Sequence, residues 1–273
     1  MPYTIDLSDK VAAVTGGSGV LGSAMCKALA AAGATVAVMG TTPARAASTS
    51  DAILSAGGVA MPLAVNVLER DTLQVAREEI LSACGNIDIL VNCAGGNDAR
   101  AMTSPDNAQN LFNIDQDALQ WTFDLNFFGT LLACQELAQP MAEAGQGVIV
   151  NISSMAAQRP LTRVLAYAAA KAGIDNFTRW LAVYLAQEYN PQIRVNAIAP
   201  GFFITEQNRL IVSNEDGSLK PRGQQIVDHT PMGRLGQPEE LVGTLLWLVS
   251  EGARFVTGTV IPVDGGFSAY SGV

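Results

Sequence analysis

The sequence predicts an α/β domain built on a doubly wound, parallel sheet of seven strands. Short apolar runs bounded by glycine alternate along the chain with longer segments of helical spacing. The runs are apolar on both faces, as are the strands of a parallel sheet that helices cover on both sides. Residues 1–273 contain neither a linker nor an internal repeat, so we expect a single domain.

Seven runs are predicted strands, because each is too short for a helix and rich in Val, Ile and Ala: 10–15, 35–39, 59–65, 87–92, 147–152, 193–199 and 259–263. The predicted helices are 20–32, 43–56, 70–83, 115–144, 165–188 and 238–249. Pro238 and the two glutamates after it are typical of a helix start, since proline loses no hydrogen bond in the first turn and carboxylates stabilise the positive end of the helix dipole.

The composition excludes several classes of protein. Asp and Glu number 25 against 16 Lys and Arg, a net charge of −9 that would repel a nucleic acid. The four cysteines form no CxxC pair and His229 is the only histidine, so we expect neither a metal site nor a disulfide framework. The N-terminus has no secretion-signal pattern and no apolar run is long enough to span a membrane, so we expect a cytoplasmic protein.

Two polar stretches interrupt the alternation of strands and helices. They are an insertion at 96–115 and a loop at 206–230. Loops of this length are usually either disordered or functional, and both follow strands at the edge of the sheet where ligands bind in open α/β folds. We therefore expect them to contact the substrate.

A glycine-rich turn between the first strand and the first helix predicts a dinucleotide site. Gly17, Gly19 and Gly22 satisfy GxGxxG in the required strand–turn–helix context. Small residues let the backbone approach a pyrophosphate, which the helix N-terminus stabilises. A glycine-rich turn without a ligand is the alternative. The expected contacts are Gly16, Gly17, Ser18, Gly19, Val20, Leu21 and Gly22.

The residues that select NAD or NADP are expected about twenty residues further along the chain, after the second strand. No Asp or Glu is present there to accept a hydrogen bond from a ribose 2′-hydroxyl, whereas Thr41, Thr42 and Arg45 could bind a 2′-phosphate. The sequence therefore favours NADP over NAD. Alternatively, Arg45 is an ordinary solvated residue of the first helical turn.

Tyr167 and Lys171 lie four residues apart in a predicted helix and so share a face. A nearby ammonium favours phenolate, and we expect it to lower the pKa of the Tyr167 phenol enough for acid–base catalysis. An amphipathic helix with a surface lysine is the alternative.

Together these motifs resemble the short-chain dehydrogenase/reductase family over nearly the whole chain. The matching motifs, in order, are the glycine turn, Asn92-Cys93-Ala94-Gly95, Asn126, Asn151-Ile152-Ser153-Ser154, Tyr167 with Lys171, Asn196-Ala197-Ile198-Ala199-Pro200-Gly201 and Val263-Asp264-Gly265-Gly266. The resemblance implies a Rossmann fold and an NAD(P)-dependent oxidoreductase.

The resemblance further implies a catalytic tetrad of Asn126, Ser154, Tyr167 and Lys171, with Ser153 structural. Tyr167 would exchange a proton with the carbonyl oxygen and Ser154 would hydrogen-bond that oxygen. Lys171 would hold the nicotinamide ribose, and Asn126 would hold a relay water. The implied cofactor contacts also include Asn66, Val67, Asn92, Ala94, Gly95, Pro200, Gly201, Phe203 and Thr205.

The chain departs from the family pattern at three positions. Val20 stands at the middle glycine of the usual TGxxxGxG turn, with Gly19 just before it, so the turn must close differently. Asn66 replaces the usual Asp after the third strand. Thr41 stands where members that prefer NADP often have Arg, which weakens the preference for NADP.

The loops and the C-terminal tail are similar to a subgroup associated with D-mannonate/D-fructuronate oxidoreduction. A sugar acid needs a cation for its carboxylate and amides for its hydroxyls. The candidate substrate residues are Asn97, Gln158, Arg159, Arg163, Gln207, Asn208 and Arg209, with Lys220 and Arg222 nearby. Most of them are solvated side chains in the alternative interpretation, and His229 is expected to be a loop residue.

Three other functions use this fold. They are reduction of a 3-oxoacyl group on acyl carrier protein, oxidation of a steroid or lipid alcohol, and NAD(P) sensing without catalysis. The acidic surface disfavours the first, the polar loops the second and the intact tetrad the third. Apolar residues on the helices 115–144 and 165–188, together with the resemblance, predict a homotetramer.

Overall fold

The computed structural model describes residues 5–205, 212–214 and 216–272. Its single sheet has seven strands: β1 Val11–Thr15, β2 Thr35–Gly40, β3 Val59–Ala64, β4 Ile89–Asn92, β5 Gly147–Ile152, β6 Ile193–Pro200 and β7 Val260–Val263. The strand order is β3-β2-β1-β4-β5-β6-β7 and every pairing is parallel. The predicted doubly wound sheet is confirmed.

Nine α-helices lie in the described part of the chain: α1 Val20–Ala31, α2 Pro43–Ser55, α3 Arg70–Cys84, α4 Gln116–Phe123, α5 Gly129–Leu137, α6 Gln139–Ala144, α7 Leu165–Glu188, α8 Pro221–His229 and α9 Val242–Val249. A π-helix, Asp124–Phe128, joins α4 to α5, and short 3-10 helices lie at Ala99–Ala101, Met155–Ala157, Pro238–Leu241 and Glu251–Ala253.

The core has two layers because alternate residues of each strand point to opposite faces of the sheet. In β1, Ala13 packs into one layer with residues of α3, α5, α6 and α7, whereas Ala12 and Val14 pack into the other with residues of α1, α2 and α9. Burial on both faces explains the uninterrupted apolar strands.

The predicted helix 115–144 is wrong as one continuous element. It is divided by the π-helix, where the Asn126 amide turns to the Gly96 carbonyl, and again before α6, where Pro140 occupies the first turn. A π-helix inside an α-helix is a common feature of functional sites. The predicted helix 238–249 likewise begins as the 3-10 turn Pro238–Leu241 before α9.

Helix α8 lies inside the stretch predicted as a loop. Only Gly223 and Ile226 of its nine residues are buried, and nine residues are fewer than the window of about 11–18 residues in which a helical period can be recognised. It packs through Ile226 in a small separate cluster with Val212 and Leu235.

No helix in the described ranges combines the length and the apolar character needed to cross a membrane. The four cysteines are free thiols. No three His, Cys, Asp or Glu side chains of the described residues are grouped as metal ligands would be.

Candidate active site

The candidate site lies where the strand order reverses, between β1 and β4. Thr15 and Asn92, the last residues of these strands, are paired in register. The Thr15 hydroxyl accepts hydrogen bonds from the amides of Cys93 at 3.1 Å and Ala94 at 3.2 Å. The chain that follows β1 and the chain that follows β4 are therefore held side by side at the crevice where open α/β sheets bind ligands.

The glycine turn is packed so closely that side chains are excluded. A Cβ at Gly22 would lie 2.1 Å from the Gly16 carbonyl oxygen, and one at Gly16, whose φ is +65°, would lie 2.8 Å from the backbone of Ala94. The turn closes through the Gly19 amide, which donates to the Gly16 carbonyl at 2.9 Å. This bond shows how the turn forms with Val20 in place of the usual glycine.

The turn fits the pyrophosphate of a dinucleotide. Helix α1 begins at Val20 and no side chain caps its N-terminus, so its first amides are available to an anion. A Cβ at Gly40, the last residue of β2, would lie 2.2 Å from the Ser18 hydroxyl oxygen. The absence of a side chain at Gly40 therefore leaves room for Ser18 beside the turn.

The residues predicted to select the cofactor are exposed at the mouth of this crevice. Thr41, Thr42 and Arg45 are all exposed. Arg45 and Lys27 line a cavity of about 350 Å³ that also contains Ser18 and the acidic Glu239. Two cations thus lie beside the phosphate-binding turn.

Two of the residues implied beside the adenine are engaged within the protein. The Asn66 side chain accepts from the Leu68 amide at 3.1 Å and donates to the Glu69 carboxylate at 2.7 Å. Val67 is buried, and its side chain lies 2.7 Å from where a Cβ at Gly129 would be. Adenine contacts of both residues stay predictions.

Asn126 and Lys171 meet at Gly95. A Cβ at Gly95 would lie 2.7 Å from Asn126 Oδ1 and 3.5 Å from Lys171 Nζ. Asn126 is fully buried and donates from Nδ2 to the carbonyls of Gly96 at 2.6 Å and Thr122 at 2.8 Å. The π-helix therefore holds the backbone at 95–96 against the lysine.

Ser154 and Tyr167 complete the cluster of predicted catalytic residues. Ser154 follows β5, is buried, and accepts from the Ala156 amide at 3.1 Å. Its hydroxyl lies close enough to the Tyr167 phenol to lower the pKa of that phenol. Lys171 Nζ lies 5.7 Å from the centre of the Tyr167 ring and donates to the Ile152 carbonyl at 2.7 Å. The structure thus brings together all four residues of the tetrad.

Burial perturbs both titratable members of the tetrad. Lys171 is 4% exposed, and removal from water lowers its pKa to about 8. Burial raises the pKa of Tyr167, and the Ser154 hydroxyl opposes that rise only in part. The expected lowering of the Tyr167 pKa is therefore wrong, because desolvation of the phenol raises its pKa by more than the Ser154 hydroxyl lowers it.

Asp175 is a buried carboxyl beside the tetrad that the sequence reasoning missed. It is 6% exposed and accepts a short hydrogen bond from the Ser153 hydroxyl, which agrees with a structural role for Ser153. Burial raises the pKa of Asp175, while Arg179 and Lys171 oppose that rise. Its position four residues after Lys171 on α7 repeats the spacing of Tyr167 and Lys171, and was the available signal.

The residues implied around the nicotinamide follow β6. Pro200 is buried as the last residue of β6, and a Cβ at Gly201 would lie 2.6 Å from the Asp264 Cα. Phe203 is buried and forms a bridge with Gly236. Thr205 is half-buried. The predicted substrate residues Gln207, Asn208 and Arg209 lie outside the described residues.

Four segments surround the Tyr167 end of the crevice, and we call them the substrate-side segments: the insertion 96–115, residues 158–164, helix α8 and the tail 264–272. Arg159 donates from Nε to the Ser268 carbonyl at 2.9 Å, and the Thr103 amide donates to the Arg163 carbonyl at 3.1 Å. The Gln158 side chain hydrogen-bonds Asp175. The structure therefore gives two predicted substrate residues, Arg159 and Gln158, contacts within the protein.

The remaining predicted residues of these segments are also placed. Asn97 is half-buried next to the 95–96 backbone that Asn126 holds. The His229 ring packs against Phe267, with ring centres 4.6 Å apart, and against Tyr270 at 5.1 Å. His229, predicted as a loop residue, is instead the last residue of α8 and joins that helix to the tail. That it is not catalytic stays a prediction.

A family model described as enoyl-(acyl carrier protein) reductase matches residues 17–268. The chain belongs to the short-chain dehydrogenase/reductase family. As a member of that family it is an NAD(P)-dependent oxidoreductase, as its motifs predict. The backbone at 93–95 contacts Gly16 of the glycine turn on one side and the predicted tetrad residues Asn126 and Lys171 on the other.

Members of the family with similar sequences or structures carry several names. An uncharacterized oxidoreductase UxuB of Bacillus subtilis is 45% identical over 280 residues, covering 100% of both chains. The 3-oxoacyl-[acyl-carrier-protein] reductase FabG of Aquifex aeolicus is 36% identical, covering 96% of this chain and 98% of FabG.

Two solved structures of the family are also similar. One is a proposed D-mannonate oxidoreductase from Haemophilus influenza with bound NAD, which has a TM-score of 0.91, 41% identity and 98% coverage of both chains. The other is a gluconate 5-dehydrogenase from Burkholderia cenocepacia in complex with NADP and tartrate, with a TM-score of 0.85, 29% identity and coverage of 97% and 98%.

Proposed function

We propose that the chain interconverts a secondary alcohol and a ketone on a sugar acid of the D-mannonate/D-fructuronate type. The observation that carries this proposal is the convergence of Asn126, Ser154, Tyr167 and Lys171 at the end of a dinucleotide crevice bordered by arginine-bearing segments. The similarity to proteins named for mannonate and gluconate supports the substrate class.

The tetrad residues can perform the proton chemistry of such a reaction. The bound nicotinamide would supply or accept the hydride. Tyr167 donates its proton to the carbonyl oxygen during reduction, and Ser154 hydrogen-bonds the same oxygen where negative charge develops. The raised pKa of Tyr167 keeps the phenol protonated at neutral pH, which is the form that reduction requires.

Lys171 and Asn126 support these two groups. With a pKa of about 8, the lysine is mostly an ammonium at pH 7, so it can bind ribose hydroxyls and stabilise a phenolate as one forms. Asn126 positions the 95–96 backbone against Lys171 and holds the relay water that returns a proton to the site.

For the cofactor we propose a preference for NADP. Arg45 and Lys27 beside Ser18 offer cations to a 2′-phosphate, and residues 38–45 contain no carboxylate to bind a 2′-hydroxyl. Among the similar structures, one contains NAD and another NADP. The preference therefore depends on these exposed side chains rather than on the family fold.

We further propose that the protein is a cytoplasmic homotetramer. Its free thiols fit a reducing compartment. Aromatic side chains are exposed along the helices on one face: Trp180 is 55% exposed and Trp121 45%, and Tyr184 stacks on Trp180 with ring centres 4.8 Å apart. Exposed aromatic patches mark interfaces.

The substitution Trp180→Glu should dissociate the tetramer, as light scattering after gel filtration would show. An unchanged molecular mass would mean that this face is not part of the interface.

Reduction of a 3-oxoacyl thioester is the second candidate, favoured by the similarity to FabG. Steady-state assays with NADH and NADPH against D-fructuronate, D-tagaturonate, 5-ketogluconate and an acetoacetyl thioester distinguish the two. We expect the highest kcat/KM with one of the three sugar keto acids. A higher kcat/KM with the thioester would contradict the proposal.

A further inference from the structure

Two arginines of the substrate-side segments, Arg163 and Arg222, lie close enough for their charges to interact. Repulsion from Arg163 adds to burial in lowering the pKa of Arg222. Both side chains are half-buried. They come from parts of the sequence 59 residues apart, so their proximity is a product of the fold.

Neither guanidinium of this pair has a carboxylate within ion-pair distance among the described residues. Four of the other described arginines do, since Arg70 and Arg77 pair with Glu136, Arg100 with Asp98 and Arg234 with Glu240. The charges of these two half-buried cations repel each other, and a bound anion would offset that repulsion.

The backbone of Arg163 is strained in a way that supports a functional role. Its φ is +79°, in the left-handed region that residues other than glycine, asparagine and aspartate rarely adopt. Asp9 and Asn107 also have positive φ, but they are of residue types that adopt it readily. Strain of this kind concentrates at functional sites. The hydrogen bond from the Thr103 amide holds Arg163 in place from the insertion.

The pair lies on the Tyr167 side of the crevice. Arg163 is four residues before Tyr167. Arg222 is in the first turn of α8, which packs through Ile226 in a cluster that includes Phe202, just after β6. The carboxyl ends of β5 and β6 are neighbours in the sheet, so the segments that carry the two arginines lie at the same edge of the sheet as the tetrad.

We propose that Arg163 and Arg222 together bind the carboxylate of the substrate. This inference rests on the proposed function and names the groups that would select a sugar acid over a neutral sugar. A guanidinium presents its donors in a planar fork that matches a carboxylate. A substrate carboxylate between the two forks would neutralise their repulsion. The ketone carbon of the same substrate molecule would then lie at Ser154 and Tyr167.

Two variants and a matched control test the pair. Arg163→Asn removes the cation and keeps a residue that tolerates positive φ, and Arg222→Gln removes the second cation. Arg254→Gln is the control, because Arg254 is exposed and lies before Val256, which contacts Arg194 at the opposite, amino end of β6.

The first readout is steady-state reduction of D-fructuronate. Loss of a hydrogen bond to a charged group corresponds to a rise of about tenfold or more in KM. We expect that rise in both variants and not in Arg254→Gln, with kcat and the KM for the cofactor nearly unchanged. An unchanged KM for D-fructuronate in both variants would contradict carboxylate binding by the two arginines, even if the wild type turns over sugar acids.

The second readout is calorimetric titration of D-mannonate and its neutral counterpart D-mannitol into the protein with NADH or NADPH. We expect D-mannonate to bind more tightly than D-mannitol to the wild type, and this difference to vanish in both variants. Loss of the difference supports the pair even if the catalysed substrate proves to be another carboxylate. Equal binding of the two compounds by the wild type would refute it.

Discussion

The glycine turn and the substrate-side segments are held in place by different kinds of contact. At the turn, backbone touches backbone: a Cβ at Gly22 would lie 2.1 Å from the Gly16 carbonyl oxygen. On the substrate side, segments far apart in sequence are joined by side-chain contacts, such as the bond from Arg159 to the Ser268 carbonyl and the packing of His229 on Phe267. The first kind of contact demands glycine at fixed spacing, whereas the second can be made by many residue types.

The difference explains how one family can serve many substrates. The tetrad lies between the two regions and depends on the same close backbone packing as the turn, because Gly95 brings the backbone after β4 against Asn126 and Lys171. The substrate-side segments lie outside the sheet, where changes leave the core intact.

Among the substitutions considered, replacement of Tyr167 by Phe should have the largest effect on activity, because it removes the acid and leaves the binding surfaces in place. Without the phenolic proton, kcat should fall by at least about 100-fold, the lower range for general acid catalysis. Cofactor affinity, measured by fluorescence titration of NADH and NADPH, should stay within a factor of two or so of the wild type, since the crevice is unchanged. A Phe variant with nearly full activity would exclude Tyr167 as the acid.

Gly22→Ala tests the close packing of the turn. The added methyl group cannot fit against the Gly16 carbonyl, and overpacking typically costs about 1–3 kcal/mol or more, so both the free energy of unfolding and cofactor affinity should fall. Gly243→Ala is the matched control. Gly243 lies in helix α9 with nothing within 4 Å of the added Cβ, and alanine there should stabilise by roughly 0.5–1 kcal/mol. Equal urea-unfolding curves for the two variants would contradict the packing.

Lys171→Met tests the burial of the lysine through the pH dependence of stability. The folded pKa of about 8 is lower than the ordinary value of 10.5, so between these values the unfolded chain binds more protons and this lysine makes stability rise with pH. When it is fully charged, the buried lysine lowers the free energy of unfolding by an amount on the order of 3 kcal/mol. The difference in free energy of unfolding, Met variant minus wild type, should be largest near pH 7 and shrink towards pH 10. A difference that does not vary with pH would mean that the lysine is not desolvated.

Arg45→Ala should have the smallest effect and tests the cofactor preference. Loss of one charged contact to a 2′-phosphate should raise the KM for NADPH by about tenfold, while the KM for NADH should change little. If the KM values for NADPH and NADH rose equally, Arg45 would not be a contact of the 2′-phosphate.

Sequence reasoning succeeded where spacing along the chain reflects a local constraint. The alternation of strands and helices, the glycine turn and the pairing of Tyr167 with Lys171 all follow from short-range rules, and the structure brings the tetrad together. The long predicted helix failed at Asn126, because the contact that reshapes it is made with Gly96, thirty residues away.

Two further features were invisible for the same reason. The direction of the Tyr167 pKa depends on how deeply the fold buries the phenol, which the spacing of two residues does not reveal. The proximity of Arg163 and Arg222 depends on where α8 packs. That helix has nine residues, of which two are buried, so the spacing of apolar residues in the sequence did not predict it.

The most direct test of the account is transfer of deuterium from a nicotinamide cofactor to a sugar acid. The wild type would be incubated with D-fructuronate and NADPH or NADH that carries deuterium at the transferable position of C4, and the product examined by NMR and mass spectrometry. The account predicts D-mannonate with one deuterium on the carbon that was the ketone. Failure to form a deuterated sugar acid, under conditions where the same protein reduces an acetoacetyl thioester, would contradict it.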